Sequence, residues 1–202
     1  MAKTRKKILD CARNLFAEQG FYQTTVRNIA EESGLTTGPI YFNFKNKGQI
    51  FAVICQESLD ILINLRKEYI ESTENPSEKV KMAYIAYREF YLNYPEHYKI
   101  LHFFLRNGPQ KLKIDEEDYL KIKDKHIESV MLLYNIINKE GVLSEIKEEI
   151  NPWTITMFLT AISDGILFFL EKPEFSMFPF QKEQLEHLLL MSIDKLALKE
   201  FV

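Results

Sequence analysis

Residues 24–47, TTVRNIAEESGLTTGPIYFNFKNK, decide the fold: they read as two short helices around a tight turn, followed at once by a basic anchor. Ile29 and Ala30 sit on the first helix, Gly34 ends it, and Ile40 lies on the second. A small residue lets two helices cross closely, and a glycine takes the left-handed conformation that terminates the first. Ile40 then packs back on that helix, which is the spacing of a helix-turn-helix. The second helix, about Thr36 to Phe44, is the one placed to enter a DNA major groove. Tyr41, Phe42 and Phe44 cannot all face a three-helix core, so at least one must project outward.

Upstream, Ile8, Leu9, Ala12, Leu15 and Phe16 recur at helical spacing and predict a helix over Thr4–Gln19, with Thr4 as its cap and Gly20 as its stop. Phe21 is expected to fold back on Phe16, and Thr25 to cap the next helix. Downstream, apolar residues from Ile50 to Tyr69 suit one long helix from Gly48 to about Glu71. STENPSE (72–78) reads as a loop, followed by helices over about 77–92 and 95–105. Asn107-Gly108-Pro109 is a turn, and a further helix is expected from about Glu116 to Lys139. Asn151-Pro152 starts the apolar helix WTITMFLTAISDGILFFL, and a last helix is expected over 181–199. The fold class is all-α: a three-helix head over residues 1–47, then a larger helical body over 48–202.

Charge divides in the same place. Residues 1–50 hold eight Lys/Arg against four Asp/Glu, net +4, while the rest of the chain is net −7. A basic head on an acidic body is the electrostatic footprint of a nucleic-acid-binding module joined to something else. Two cysteines without metal-ligand spacing, Cys11 and Cys55, fit a reducing cytoplasm. Cys55 near the head–body junction is either an inert buried thiol or a redox switch. MAKTRKK has no apolar run behind its charges, so a signal peptide is not expected. Thr154, Thr156, Thr160, Ser163 and Asp164 interrupt the apolar helix at 152–170, which argues against a membrane span. No metal site is expected, since His97 and His102 are five apart and His126 and His187 are isolated. No nucleophile–base pair, phosphate-cradling glycine loop or paired carboxylates mark an enzyme, and no cofactor is expected.

Residues 4 to about 55 resemble the N-terminal domain of TetR-family transcriptional regulators. The landmarks are Leu15-Phe16, Gly20-Phe21, Thr24-Thr25, Ile29-Ala30, Gly34-Leu35, Ile40-Tyr41, Phe44 and Lys47. The resemblance implies a homodimer that represses transcription at a palindromic operator until a small ligand binds its C-terminal domain. It implies DNA contacts at Thr25, Arg27, Thr36, Thr37, Gly38, Pro39, Tyr41, Phe42, Asn43 and Lys47. Thr36 and Thr37 would reach base edges, and Gly38 and Pro39 would keep the surface low for close approach. Tyr41, Lys47 and Thr25 would hold phosphate, and the fork of Arg27 suits guanine. Asn43 stands where many members carry histidine, and Gly48 where an acidic residue is common.

For the body the resemblance implies a ligand pocket. Candidate lining residues on the middle helices are Tyr84, Tyr87, Tyr91, His102, Phe103, Tyr134, Trp153, Met157 and Phe168, which suit a mainly apolar or aromatic effector. The apolar helix at 152–170 and the last helix would meet their symmetry mates in a four-helix dimer interface through Ile162, Ile166, Leu185, Leu189 and Ile193. Activation, or release by a protein partner, would use the same architecture. A different class, an all-helical small-molecule carrier that has lost DNA binding, would need a blunted recognition helix; Tyr41 and Lys47 argue against it.

Overall fold

The computed structural model describes residues 2–139 and 150–171, together with 184, 185, 187, 188, 190 and 191. The fold is all-α, with no strand among the described residues. In chain order the helices are α1 (Ala2–Gln19), α2 (Val26–Glu32), α3 (Thr37–Asn43), α4 (Lys47–Glu71), α5 (Pro76–Asn93), α6 (Pro95–Lys111), α7 (Glu116–Ile137) and α8 (Pro152–Glu171). The chain forms two compact units, Met1–Leu62 with Leu92–Ile127, and Ile63–Tyr91 with Glu128–Val202. The sequence places a domain boundary after residue 47, whereas the compact units divide the chain after Leu62, Tyr91 and Ile127. Packing groups the first part of α4, all of α6 and part of α7 with the head.

Local chemistry explains the head. α1 begins at Ala2, two residues before the expected cap, so Thr4 lies inside the helix. Gly20 ends α1 at φ +85°, its N–H donating to the Phe16 carbonyl at 3.1 Å. Phe21 then folds back on Phe16, with ring centroids 5.6 Å apart. The buried Thr24 hydroxyl ties this turn by donating towards the Gly20 and Leu15 carbonyls (2.9 and 3.3 Å). Thr25 caps α2 through a reciprocal pair. Its hydroxyl accepts from the Asn28 N–H (3.1 Å), and its own N–H donates to Asn28 Oδ1 (3.0 Å). Gly34 turns the chain at φ +61°, and the Leu35 N–H closes on the Ala30 carbonyl at 2.8 Å.

Deeper in the first unit, Phe51 meets Phe16, Phe21 and Phe103 edge-on. Gly48 sits under the turn between α6 and α7: a Cβ there would lie 2.5 Å from the Lys113 carbonyl oxygen and 2.7 Å from that of Leu112. Close backbone approach, rather than a looser helix start, is therefore the reason for glycine at 48. α6 breaks where expected, at Gly108 (φ +74°) before Pro109.

His97 of α6 is buried beside Ser58 of α4. The Ser58 hydroxyl donates to the Ile54 carbonyl (2.7 Å), so at its 2.9 Å contact it accepts from His97 Nδ1–H. Burial, reinforced by Arg13 and opposed by Glu96 and Asp10, lowers the imidazole from 6.5 to about 4. The unfolded chain takes up this proton below about pH 6.5 and the folded chain only near 4. Stability from a neutral His97 is thus whole above pH 6.5 and is lost as the pH falls towards 4, an effect on the order of 3 kcal/mol. Urea unfolding of the wild type and of His97→Gln at pH 7 and pH 4 measures it. The wild type should lose several-fold more stability than the variant, and parallel losses would refute the assignment.

In the second unit Val80, Ala83, Tyr84, Leu133, Ile136, Ile137, Ile155 and Leu159 form a buried cluster. Asn151 Oδ1 caps α8 by accepting the Trp153 N–H at 2.8 Å. Along α8 the hydroxyls of Thr156, Thr160 and Ser163 each donate to the carbonyl four residues back. By length and composition α4 and α8 are apolar enough to cross a membrane. α4 achieves this as a core helix, more than half buried within the protein. α8 keeps an exposed apolar face at Trp153, Met157, Phe158 and Phe169.

Candidate nucleic-acid interface and ligand cleft

α3 presents a face that packing does not account for. Of its three aromatic candidates only Phe44 is buried, whereas Tyr41 is 57% exposed and Phe42 74%. Thr36, Thr37 and Gly38 are exposed beside them, and Pro39 is half-buried. A Cβ on Gly38 would meet nothing nearer than Thr36 Oγ1 at 3.9 Å, so the interior does not demand glycine there. Asn43 donates its amide back to the Pro39 carbonyl at 2.7 Å, which leaves the side-chain oxygen as its outward group.

On α2 the exposed Arg27 pairs with Glu31 at 2.9 Å. An exposed pair of this kind holds within about 1 kcal/mol of nothing, so the guanidinium exchanges it at little cost for a stronger acceptor. Thr25 is exposed, with its hydroxyl engaged in the α2 cap. Lys47 is placed differently from a simple phosphate ligand. Its Nζ donates to the carbonyls of Phe21 (2.6 Å) and Thr24 (2.7 Å) and lies 4.2 Å from the Phe21 ring centre. Partial burial and Lys113 lower its pKa. The lysine fastens the α1–α2 turn, and so fixes where Thr25 and α2 stand. Lys45 pairs with Asp115 at 3.3 Å, while Arg5 lies over the Phe44 ring at 5.1 Å.

The second unit holds a small cleft of about 20 Å³, lined by Arg66, Val80, Ala83, Tyr84, Tyr87, Leu133, Leu159, Thr160 and Ser163. Of the aromatic residues expected to line a pocket, Tyr84 and Tyr87 do so. His102 and Phe103 belong to the first unit, where His102 lies tilted against Tyr98 (4.1 Å between centroids) and Phe103 packs against Tyr22 and Phe51. Tyr134 and Trp153 stack on each other at 4.1 Å outside the lining. Met157 is exposed on α8, and neither Tyr91 nor Phe168 lines this cleft. Helical spacing identifies such aromatics as inward or outward but not the cavity they reach.

Ile162 and Ile166, expected between protomers, are partly buried against their own unit's core. Leu185 is half-buried, while Leu189 and Ile193 lie outside the described residues. The exposed large apolar residues of α8 are instead Trp153, Met157, Phe158 and Phe169. Cys55 is fully buried and its thiol is pushed well up by desolvation, which makes it unreactive. Sequence reading missed Arg66, although one cation among Leu59, Leu62, Ile63 and Ile70 on the apolar stripe of α4 was a visible signal.

The first unit contains a helix-turn-helix whose α3 leaves Tyr41 and Phe42 exposed, and the second unit contains a small cleft. Residues 8–54 match the family model for bacterial regulatory proteins of the tetR family. The HTH-type transcriptional repressor KstR2 of Mycolicibacterium smegmatis is 32% identical over 85 residues, 42% of each chain. The fatty acid metabolism regulator protein of Bacillus subtilis is 33% identical over 91 residues, 45% of this chain and 46% of that protein. The matches thus span less than half the length of these curated relatives. Over the whole fold, the FadR transcriptional regulator of Bacillus subtilis, solved with stearoyl-CoA, superposes with a TM-score of 0.70 at 19% identity, covering 93% of this chain and 96% of that one.

Proposed function

We propose that this chain is a DNA-binding transcriptional regulator, a homodimeric repressor that holds a palindromic operator and releases it when a small ligand binds the second unit. The observation that carries the reading is the exposed face of α3, where Tyr41 and Phe42 stand beside Thr36, Thr37 and Gly38 with no packing reason to do so. Arg27 and Thr25 flank it on α2, and Lys47 supports it from behind. Dimerisation would use the broad exposed side of α8, since large apolar side chains gain most by being covered. The two heads then bind half-sites about one helical turn, ~34 Å, or a multiple of it apart. A ligand that prefers the wrong spacing shifts the population by its differential affinity, typically ~1–3 kcal/mol. The relatives that repress transcription, and the one solved with an acyl thioester, support an effector with an apolar body.

Selection of the purified protein on random duplex DNA at two salt concentrations tests the reading. An enriched palindrome, bound with steep salt dependence, is expected. Arg27→Ala should weaken binding by ~1–3 kcal/mol and relax one position of each half-site, and Tyr41→Phe should weaken all sequences alike. No enrichment at either salt would favour a helical carrier instead.

A further inference from the structure

The first unit holds a cavity of about 400 Å³ where the α1–α2 turn, the start of α4 and the α6–α7 turn meet. Lys47, Lys111 and Lys113 stand on its wall, and no Asp or Glu does. None of the three ammonium groups makes an ion pair among the described residues. Neutral donors stand beside them. Asn46 Oδ1 accepts the Gln49 N–H at 2.9 Å, which leaves its amide N–H groups open. Tyr22 is exposed and held edge-on by Phe21 and Phe103, and its hydroxyl bonds to no described residue. Positive charge and free donors without a carboxylate complement an oxyanion.

The α6–α7 turn carries a lysine where its own backbone favours glycine. Lys113 adopts φ +53°, and it is the one non-glycine residue with positive φ among the described residues. Its N–H donates to the Gln110 carbonyl at 3.2 Å, and the Ile114 N–H donates to that of Pro109 at 3.1 Å. This pair of bonds ends a helix on a left-handed residue, a place that glycine takes without steric cost. A cation gains there from the helix dipole, but Lys111 in the last turn already supplies one. Packing gives no other reason, since Lys113 is exposed. Charge points the same way. Residues 99–113 hold four Lys/Arg and no Asp/Glu, in a body that is otherwise acidic, and they fold into the unit that contains the head. Of the acids that follow, Asp115 faces Lys45 and Glu117 faces Lys121, so neither neutralises the wall.

Lys47 Nζ bonds the Thr24 carbonyl at 2.7 Å, so the cavity adjoins Thr25 and the start of α2. A duplex backbone alongside the helix-turn-helix passes that edge. Two exposed lysines on flexible stems suit a repeating polyanion better than one small, shaped ligand. We propose that this cavity seats a phosphate of the operator backbone, bound by Lys113 and Lys111 with Tyr22 and Asn46 as neutral donors. It rests on the reading that the head binds DNA, and it extends each protomer's footprint from the helix-turn-helix to the α6–α7 turn.

The test titrates full-length wild type, Lys113→Gly, the double variant Lys111→Gln/Lys113→Gly, and Lys123→Gln. Each meets a selected duplex and a random-sequence duplex of equal length over a range of salt concentrations. Lys123 is exposed on α7 in the same unit and lies outside the cavity lining, so it controls for net charge. Lys113→Gly relieves the left-handed backbone, and its melting temperature should equal or exceed that of wild type. Its affinity for both duplexes should nevertheless fall roughly ten- to 100-fold near 0.1 M salt. The slope of log affinity against log salt should flatten by about 2, one phosphate for each protomer. The double variant should lose more, and Lys123→Gln should stay within about three-fold of wild type. If Lys113→Gly fails to fold, Lys113→Asn replaces it, since asparagine also tolerates this backbone. An unchanged slope and affinity in the Lys113 variant, or an equal loss in Lys123→Gln, overturns the inference and leaves the helix-turn-helix reading intact. Failure of the wild type to bind either duplex removes both. A thermal shift produced by inorganic phosphate and abolished by Lys113→Gly, with duplex binding unaltered, would assign the cavity to free phosphate and equally overturn it.

Discussion

Phe51→Ala is expected to lower the stability of the first unit by about 3–5 kcal/mol, the usual cost of removing a fully enclosed phenyl ring. Phe51 is 1% exposed and lies edge-on to three rings, with centroids 5.2 Å from Phe16, 5.1 Å from Phe21 and 6.0 Å from Phe103. Three edge contacts made by one ring leave no neighbour able to collapse into the space without losing its own geometry. For a chain of this size the loss corresponds to a fall in melting temperature of roughly 6–20 °C. Phe51→Leu, which restores most of the volume, should recover more than half of it. A functional consequence follows from Phe21, whose carbonyl accepts from Lys47 while its ring packs on Phe51. Once Phe21 is free to move, the anchor of the α1–α2 turn loosens, and affinity for a selected duplex should fall even well below the melting temperature. Thermal unfolding beside a DNA shift assay measures both, and a melting temperature within about 3 °C of wild type would show that the ring cluster relaxes far more readily than its geometry implies.

The head was legible because its signals are local. Gly20 and Gly34 mark turns through backbone conformations that only glycine adopts readily, and Thr25 caps α2 through a residue three positions on. Gly108-Pro109 breaks α6 for the same kind of reason. What was not legible depends on residues far apart in sequence. The Lys47 ammonium finds backbone carbonyls, which carry no sequence signature, 26 and 23 positions upstream. Glycine at 48 answers to the backbone of residues 112 and 113. His102 and Phe103 lie in the middle of the chain yet pack in the first unit, because membership of a unit is set by topology and helical periodicity is blind to it. Ile162 and Ile166 belong to the apolar periodicity of α8, which does not say which of its apolar rows faces its own core. Arg66 shows the opposite failure. Its position within an apolar stripe was visible, but charged residues on long helices are ordinarily solvated, and only the structure shows this one enclosed.

Thr37→Glu should abolish DNA binding without weakening the fold, and the separation of those two readouts is what makes it informative. Thr37 is the first residue of α3 and is exposed. Glutamate there forms no clash with the core, and a negative charge in a helix's first turn stabilises it by ~0.3–1 kcal/mol. The melting temperature is therefore expected to stay level or rise by one or two degrees, roughly. Against a duplex the same charge faces base edges and phosphates in place of a hydroxyl that can donate or accept. Losing one base contact costs ~1–3 kcal/mol, and a dimer loses it in both half-sites, so affinity should fall by roughly 30-fold to 10⁴-fold before phosphate repulsion is added. Raising the salt should not restore binding, because screening removes the repulsion but not the missing contact. Thr37→Ser, which keeps the hydroxyl, should bind within a few-fold of wild type. If Thr37→Glu instead binds a selected duplex within three-fold of wild type, α3 does not lie in the groove, and the outward face of Tyr41 and Phe42 must serve some other partner.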